Sequence, residues 1–166
     1  MYRKIDDFLI DWKHESESTL NVFKNITNEV LHNKPHENIR SIAILIWHII
    51  ITLNEMLNKA GLAVTGPEEY SKPPATISEI ITEYENSSKS VVEEVKKRWN
   101  DTSLLEEVNM YGDTWTKGTV LSILIKHQSH HRGQLSTLMR LFNLKVPGIY
   151  GPAKEEWAAW NMPTRE

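Results

Sequence analysis

The sequence predicts an all-α fold: a four-helix bundle with a long connection between helices 2 and 3 and a short C-terminal helix. Three observations predict it. Four long stretches repeat apolar residues every three or four positions, a spacing that lays them along one face of a helix. Strand-like alternation is almost absent. The chain has 166 residues, 40% apolar and 25% charged, an ordinary balance for one domain spanning residues 1–166. Four apolar stripes of this kind are buried together by packing the helices into a bundle.

The first helix is expected over about residues 2–31, on the stripe Ile5, Phe8, Trp12, Ser16, Thr19, Val22 or Phe23, Ile26 and Val30. His14 falls off that stripe and reads as solvent-facing. His32 and His36 have an i,i+4 spacing, but Pro35 lies between them and breaks the helix that would bring them together. They read as loop histidines. Asn38 is the expected N-cap of the second helix, which runs to about Ala60 and is stopped by Gly61. Its middle, IAILIWHIIITLNEM, is apolar on nearly every side, as expected of the most buried helix. Polar groups recur on one stripe only, through Ser41, Leu45, His48, Thr52 and Glu55.

Residues 62–74 are rich in Gly, Pro and charge and form the long connection. Thr76 and Glu79 make a capping box for the third helix, whose stripe is Ile77, Ile80 or Ile81, Tyr84, Ser87 or Ser88, Val91, Val95 and Arg98 or Trp99. The run EEVKKR is its solvated face. Residues 100–116 read as irregular, with a turn at Gly112 and Asp113 and a short extended piece around 108–111. The fourth helix is expected from about Thr116 to Asn143. Beyond a turn, Pro152 opens a short helix whose Trp157 and Trp160 are expected to cover the bundle.

Composition excludes several functions. The formal net charge is −3 and the basic residues are scattered, so nucleic acid is not an expected partner. Residues 1–11 lack the make-up of a signal peptide. The longest apolar run, residues 42–51, is interrupted by His48 and falls short of the roughly 20 residues that cross a bilayer. A cytoplasmic protein that does not engage membranes is expected. There are no cysteines, so a metal would be held by nitrogen and oxygen, and any reacting thiol would arrive as a cosubstrate.

Seven histidines are present, and three break apolar stripes. In the fourth helix Val120, Leu124, His127, His131, Gln134 or Leu135, Leu138 and Leu141 share one face, so His127 and His131 stand where leucine would be usual. An i,i+4 pair lies about 5–6 Å apart at Cβ, suited to two imidazoles on one ion. With His48 they would need three separate sets of hydrogen-bond partners as core histidines. A shared divalent metal satisfies one nitrogen of each, and three His ligands with a free fourth position is the open arrangement of catalytic zinc. His130 lies on the helix edge with Lys126 and Gly133, and reads as a surface or supporting residue.

The string HQSHHRGQL, with an upstream histidine in a WHI context and a GPxxEEW segment after the fourth helix, resembles the DinB/YfiT-like family of metal-binding bundles over nearly the whole chain. The resemblance implies a divalent metal, usually zinc or nickel, with His48 as first ligand and His127 and His131 as the other two. It also implies activities known in the wider superfamily: S-transfer reactions using bacillithiol, mycothiol or glutathione, and a thiol-dependent isomerisation. The expected function is a metal-dependent enzyme activating water or a low-molecular-weight thiol for a small-molecule substrate. The alternative is a non-catalytic, stress-related metal-binding bundle. Glu55 and Gln134 are the nearest polar candidates for proton transfer or substrate orientation. A homodimer is expected because the second helix is apolar beyond the needs of one core.

Overall fold

The computed structural model describes residues 1–161 and 163. In chain order it contains α1 (Ile5–Phe23), a short α2 (Asn28–Leu31), α3 (Ile42–Lys59) and α4 (Ile77–Arg98). A 3-10 turn (Ser103–Leu105), strands β1 (Glu107–Met110) and β2 (Asp113–Thr116), α5 (Lys117–Leu141) and a 3-10 segment (Lys154–Trp160) follow. α3 packs on α4 and α5, and α1 packs on the same two helices. The expected bundle is present, with α1 and α3 at opposite corners.

Side-chain caps fix the starts of α3, α4 and α5. Thr76 and Glu79 form the capping box: Glu79 N donates to Thr76 Oγ1 (3.3 Å) and Thr76 N to Glu79 Oε2 (3.1 Å). Thr116 Oγ1 accepts from Thr119 N (3.2 Å) at the start of α5. At Gly118 a Cβ would stand 2.1 Å from the Tyr2 carbonyl oxygen, so only glycine lets the N-terminal segment bond there through Tyr2 N and Gly118 O (3.1 Å).

Four boundaries differ from expectation. The first helix ends at Phe23, where Asn25 Nδ2 donates to the Asn21 carbonyl (2.8 Å) and competes with helix continuation. The chain restarts as α2 after extended Thr27. α3 starts after Ser41, whose Oγ accepts from Ile44 N, and not after Asn38, whose backbone N–H goes to His36 Nδ1 instead. The extended piece is half of a hairpin, with Val108 opposite Trp115. Its two-residue turn puts Tyr111 (φ 57) and Gly112 (φ 93) in the left-handed region, as a type I′ turn requires. The C-terminal piece is 3-10, starts at Lys154, and has no buried residue. Trp160 is 67% exposed and does not cover the bundle.

α3 is the core helix, as its composition predicts. Ile42, Leu45, Ile46, Ile49, Ile50, Leu53 and Leu57 are all buried within one chain, while Ile44 faces outward. The whole of α3 has the length and hydropathy of a membrane span, but 61% of it is buried inside the bundle.

The connection between α3 and α4 lies against the bundle. Asn58 brackets Val64 with both its amide atoms (2.6 and 3.0 Å), and Thr65 N donates to Ser90 Oγ (2.8 Å). Trp47 Nε1 donates to the Ser71 carbonyl (3.0 Å). These bonds carry Glu69, Tyr70 and Ser71 to the rim of a cleft that ends on His48.

Candidate metal centre

His48 is supplied by α3, and His127 and His131 by adjacent turns of α5. The structure brings all three together. His127 Nε2 lies 3.2 Å from His48 Nε2 and 3.1 Å from His131 Nε2, and one nitrogen of each ring falls within 4.8 Å of the others. The rings meet edge to face, so they converge through nitrogens and not by stacking. Zinc–imidazole bonds of about 2.0–2.1 Å at tetrahedral angles place ligand nitrogens about 3.3 Å apart. The observed separations fit such a donor set. Among the described residues the cluster consists of these three histidines.

Burial sets the protonation of the cluster. Desolvation lowers the pKa of His48, His127 and His131 below the usual imidazole value, and the neighbouring histidines add to the effect at His48 and His127. At His131 a hydrogen bond to Gln134 opposes it. His127, beside both other rings, falls to about 4. Neutral imidazoles with free lone pairs are what a metal requires.

Gln134 orients His131. Its Oε1 accepts from His131 Nδ1 at 2.8 Å and its Nε2 donates to His130 Nε2 at 3.1 Å. A proton held on Nδ1 leaves the Nε2 lone pair pointing into the cluster. His130 is exposed and supports the site through Gln134. Glu55 does not touch the histidines: it accepts from Tyr111 OH (2.6 Å) and Lys59 Nζ (3.2 Å) in the cleft that holds His48. His14, His32 and His36 are exposed and lie outside the cluster.

Two clefts reach the cluster. One, about 360 Å³, is lined by Trp47, His48, Thr52, Glu55 and Glu69. The other, about 510 Å³, is lined by Ile39, Leu45, His131, Gln134 and Leu138. Arg40 lines both. With Asn38 as the expected N-cap it would stand in the first turn of the second helix, whereas it precedes the Ser41 cap, and no spacing rule marks it.

A second polar group went unread. Arg132, 1% exposed, donates to Glu15 Oε2 (2.7 Å), the Glu15 carbonyl (3.1 Å) and Thr19 Oγ1 (3.1 Å). Tyr150 OH joins Glu15 (2.8 Å) and Arg132 (2.6 Å). The available signal was Glu15 itself, which continues Phe8 and Trp12 at helical spacing ahead of Thr19. The stripe runs through Glu15, not Ser16.

The model of the DinB family matches residues 1–165. A Bacillus subtilis (strain 168) protein described as "Uncharacterized protein YrdA" is 34% identical over 162 residues, covering 98% of this chain and 97% of that protein. A DinB-like crystal structure from Bacillus cereus superposes with a TM-score of 0.85 at 32% identity, over 90% of this chain and 100% of that one. The DinB-like protein YjoA of Bacillus subtilis gives 0.68 at 18% identity, over 89% of this chain and 99% of that one, a likeness of fold.

Proposed function

This chain belongs to the DinB family, and we propose that it is a divalent-metal-binding enzyme with His48, His127 and His131 as its protein ligands. One observation carries the reading: three Nε2 atoms from two helices meet at 3.1–3.2 Å steps, with no fourth protein carboxylate or histidine in the group among the described residues. Zinc or nickel suits this nitrogen set. A divalent ion held by His48, His127 and His131 would supply Lewis acidity, the chemistry that brings the pKa of a water to about 7 or favours a thiolate. The protein's own groups do the rest. Gln134 fixes the His131 tautomer, and burial keeps the imidazoles neutral. The clefts at His48 and His131 admit a small substrate, a low-molecular-weight thiol included.

The test begins with elemental analysis of tag-free protein after metal-replete expression. About one zinc or nickel per chain is expected. Less than about 0.2 per chain would count against the ligand set. His48→Ala and His131→Ala should each lose the metal. Transfer of a low-molecular-weight thiol to an electrophile, and hydrolysis of activated esters, should both be assayed with the loaded protein. Turnover equal to that of His131→Ala would reduce the function to metal binding alone.

A further inference from the structure

We infer that the 510 Å³ cleft beside His131 is the substrate cleft, and that Arg40 anchors an anionic head group, a carboxylate or equivalent, of an otherwise apolar small molecule. The inference deepens the metal-enzyme reading and rests on it for the position of the reacting atom.

Arg40 is exposed, directly precedes the N-cap of α3, and makes no ion pair or hydrogen bond among the described residues. Other cations such as Lys24, Lys34 and Lys126 also lack a carboxylate partner among the described residues; what sets Arg40 apart is its position, on the lining of both clefts that reach the histidines. A guanidinium at the mouth of two clefts, with its planar donors free, is a ready receptor for a carboxylate.

The two clefts are not equivalent. The one ending on His48 carries Glu55 and Glu69 on its walls, and these repel an anion. The one ending on His131 contains no acid: its polar groups are Asn38, Gln134 and Thr137. Ile39, Leu45 and Leu138 supply its apolar wall. Its volume lies within the range of small-molecule sites, roughly 300–1,000 Å³. An anion paired with Arg40 there would lay its chain along Leu45 and Leu138 and its other end toward His131.

The test uses hexanoate against hexan-1-ol, on chelator-treated, metal-free protein so that no carboxylate can bind through a metal. Binding is read by methyl NMR. Saturable, millimolar binding of hexanoate is expected for about eight heavy atoms, with shifts at the Leu45 and Leu138 methyls. Arg40→Gln should weaken it about tenfold or more, as loss of a charge-assisted hydrogen bond does, and Arg40→Lys should restore most of the affinity. Arg40 is exposed, so neither change threatens folding. Equal binding of hexan-1-ol, equal affinity in Arg40→Gln, shifts confined to Ile44 and Ile51 of the other cleft, or no saturation would each overturn the assignment. Arg40-dependent binding in a protein that takes up no metal would leave the anion cleft standing and remove the metal reading. One ion per chain with Arg40-independent binding would do the reverse.

Discussion

At the scale of the residue, the site depends on which imidazole nitrogens hold protons. Gln134 decides this for His131, because its carbonyl oxygen can only accept and therefore requires the proton on Nδ1. Gln134→Leu keeps the volume and removes that acceptor. We expect it to lower metal affinity about 10- to 100-fold, the usual effect of losing such a supporting partner, as read by competition with a chromogenic chelator. Wild-type affinity in this variant would show that Gln134 does not set the tautomer. The lowered histidine pKa values also fix the direction of a pH effect. Metal-free His127 titrates near 4 when folded and near 6.5 when unfolded. Between those values the unfolded chain binds more protons, so stability rises with pH. The contribution is complete above about pH 6.5 and is lost as pH falls toward 4. Thermal melts of the metal-free protein should show a falling Tm from pH 7 to 4.5, and His127→Gln should flatten the slope. An unchanged slope would place the effect in other groups.

At the scale of the element, the rotation of α5 about its axis decides whether His127 and His131 face α3 at all. Two polar contacts hold that rotation. Arg132, one residue past His131, reaches across to Glu15 on α1, and Gln128, one residue past His127, accepts from Tyr84 OH on α4 (2.6 Å). Glu15→Ala leaves Arg132 buried and uncompensated, a situation that costs about 3–5 kcal/mol. Urea unfolding should show a loss of that size, and Glu15→Leu combined with Arg132→Met should recover much of it. A loss below about 1 kcal/mol for Glu15→Ala would mean that water reaches the pair. This network also marks where sequence reading stopped. His48, His127 and His131 were legible because a histidine among Ile and Leu at helical spacing contradicts its surroundings. Arg132 was not, because a charged residue is normally read as solvent-facing, and its partner lies more than a hundred positions earlier. The capping box at Thr76 was legible because it acts within three residues. The start of α5 near Thr116 was legible from the apolar stripe, whereas the cap of α3 was placed at Asn38 and lies at Ser41. The turn at Gly112 was legible, but the pairing of β2 also needs the positive φ of Tyr111, which its residue type does not declare. The break at Phe23 turns on one amide bond, Asn25 to Asn21, inside an apolar stripe that runs on to Val30. Arg40 was invisible for a third reason: its meaning lies in the clefts it borders, which exist only after folding.

At the scale of the whole molecule, the candidate metal centre ties together helices that the rest of the fold already brings into contact. α3 and α5 pack along their length, burying Leu45, Ile46, Leu124 and Leu135, while Glu15 and Arg132 join α5 to α1 on the other side. The histidine cluster is therefore a clamp added to a bundle whose core is complete without it, unlike a zinc finger that unfolds on loss of its ion. Two expectations separate these cases. Metal-free protein should remain folded, with a cooperative melt. Its Tm should nevertheless lie below that of the loaded form, because an ion bound only by the native state stabilises it by about 2.7 kcal/mol at a hundredfold excess over Kd. For a chain of this size each kcal/mol shifts Tm by roughly 2–4 °C, so chelation should lower it by about 5–10 °C. Scanning calorimetry with and without chelator measures the difference directly, and His48→Ala supplies the control. Lacking its ligand from α3, that variant should melt at one temperature in both conditions. A chelator effect that persists in His48→Ala would place the stabilising ion somewhere other than between α3 and α5, and a protein that unfolds outright on chelation would make the metal a folding element instead of a clamp.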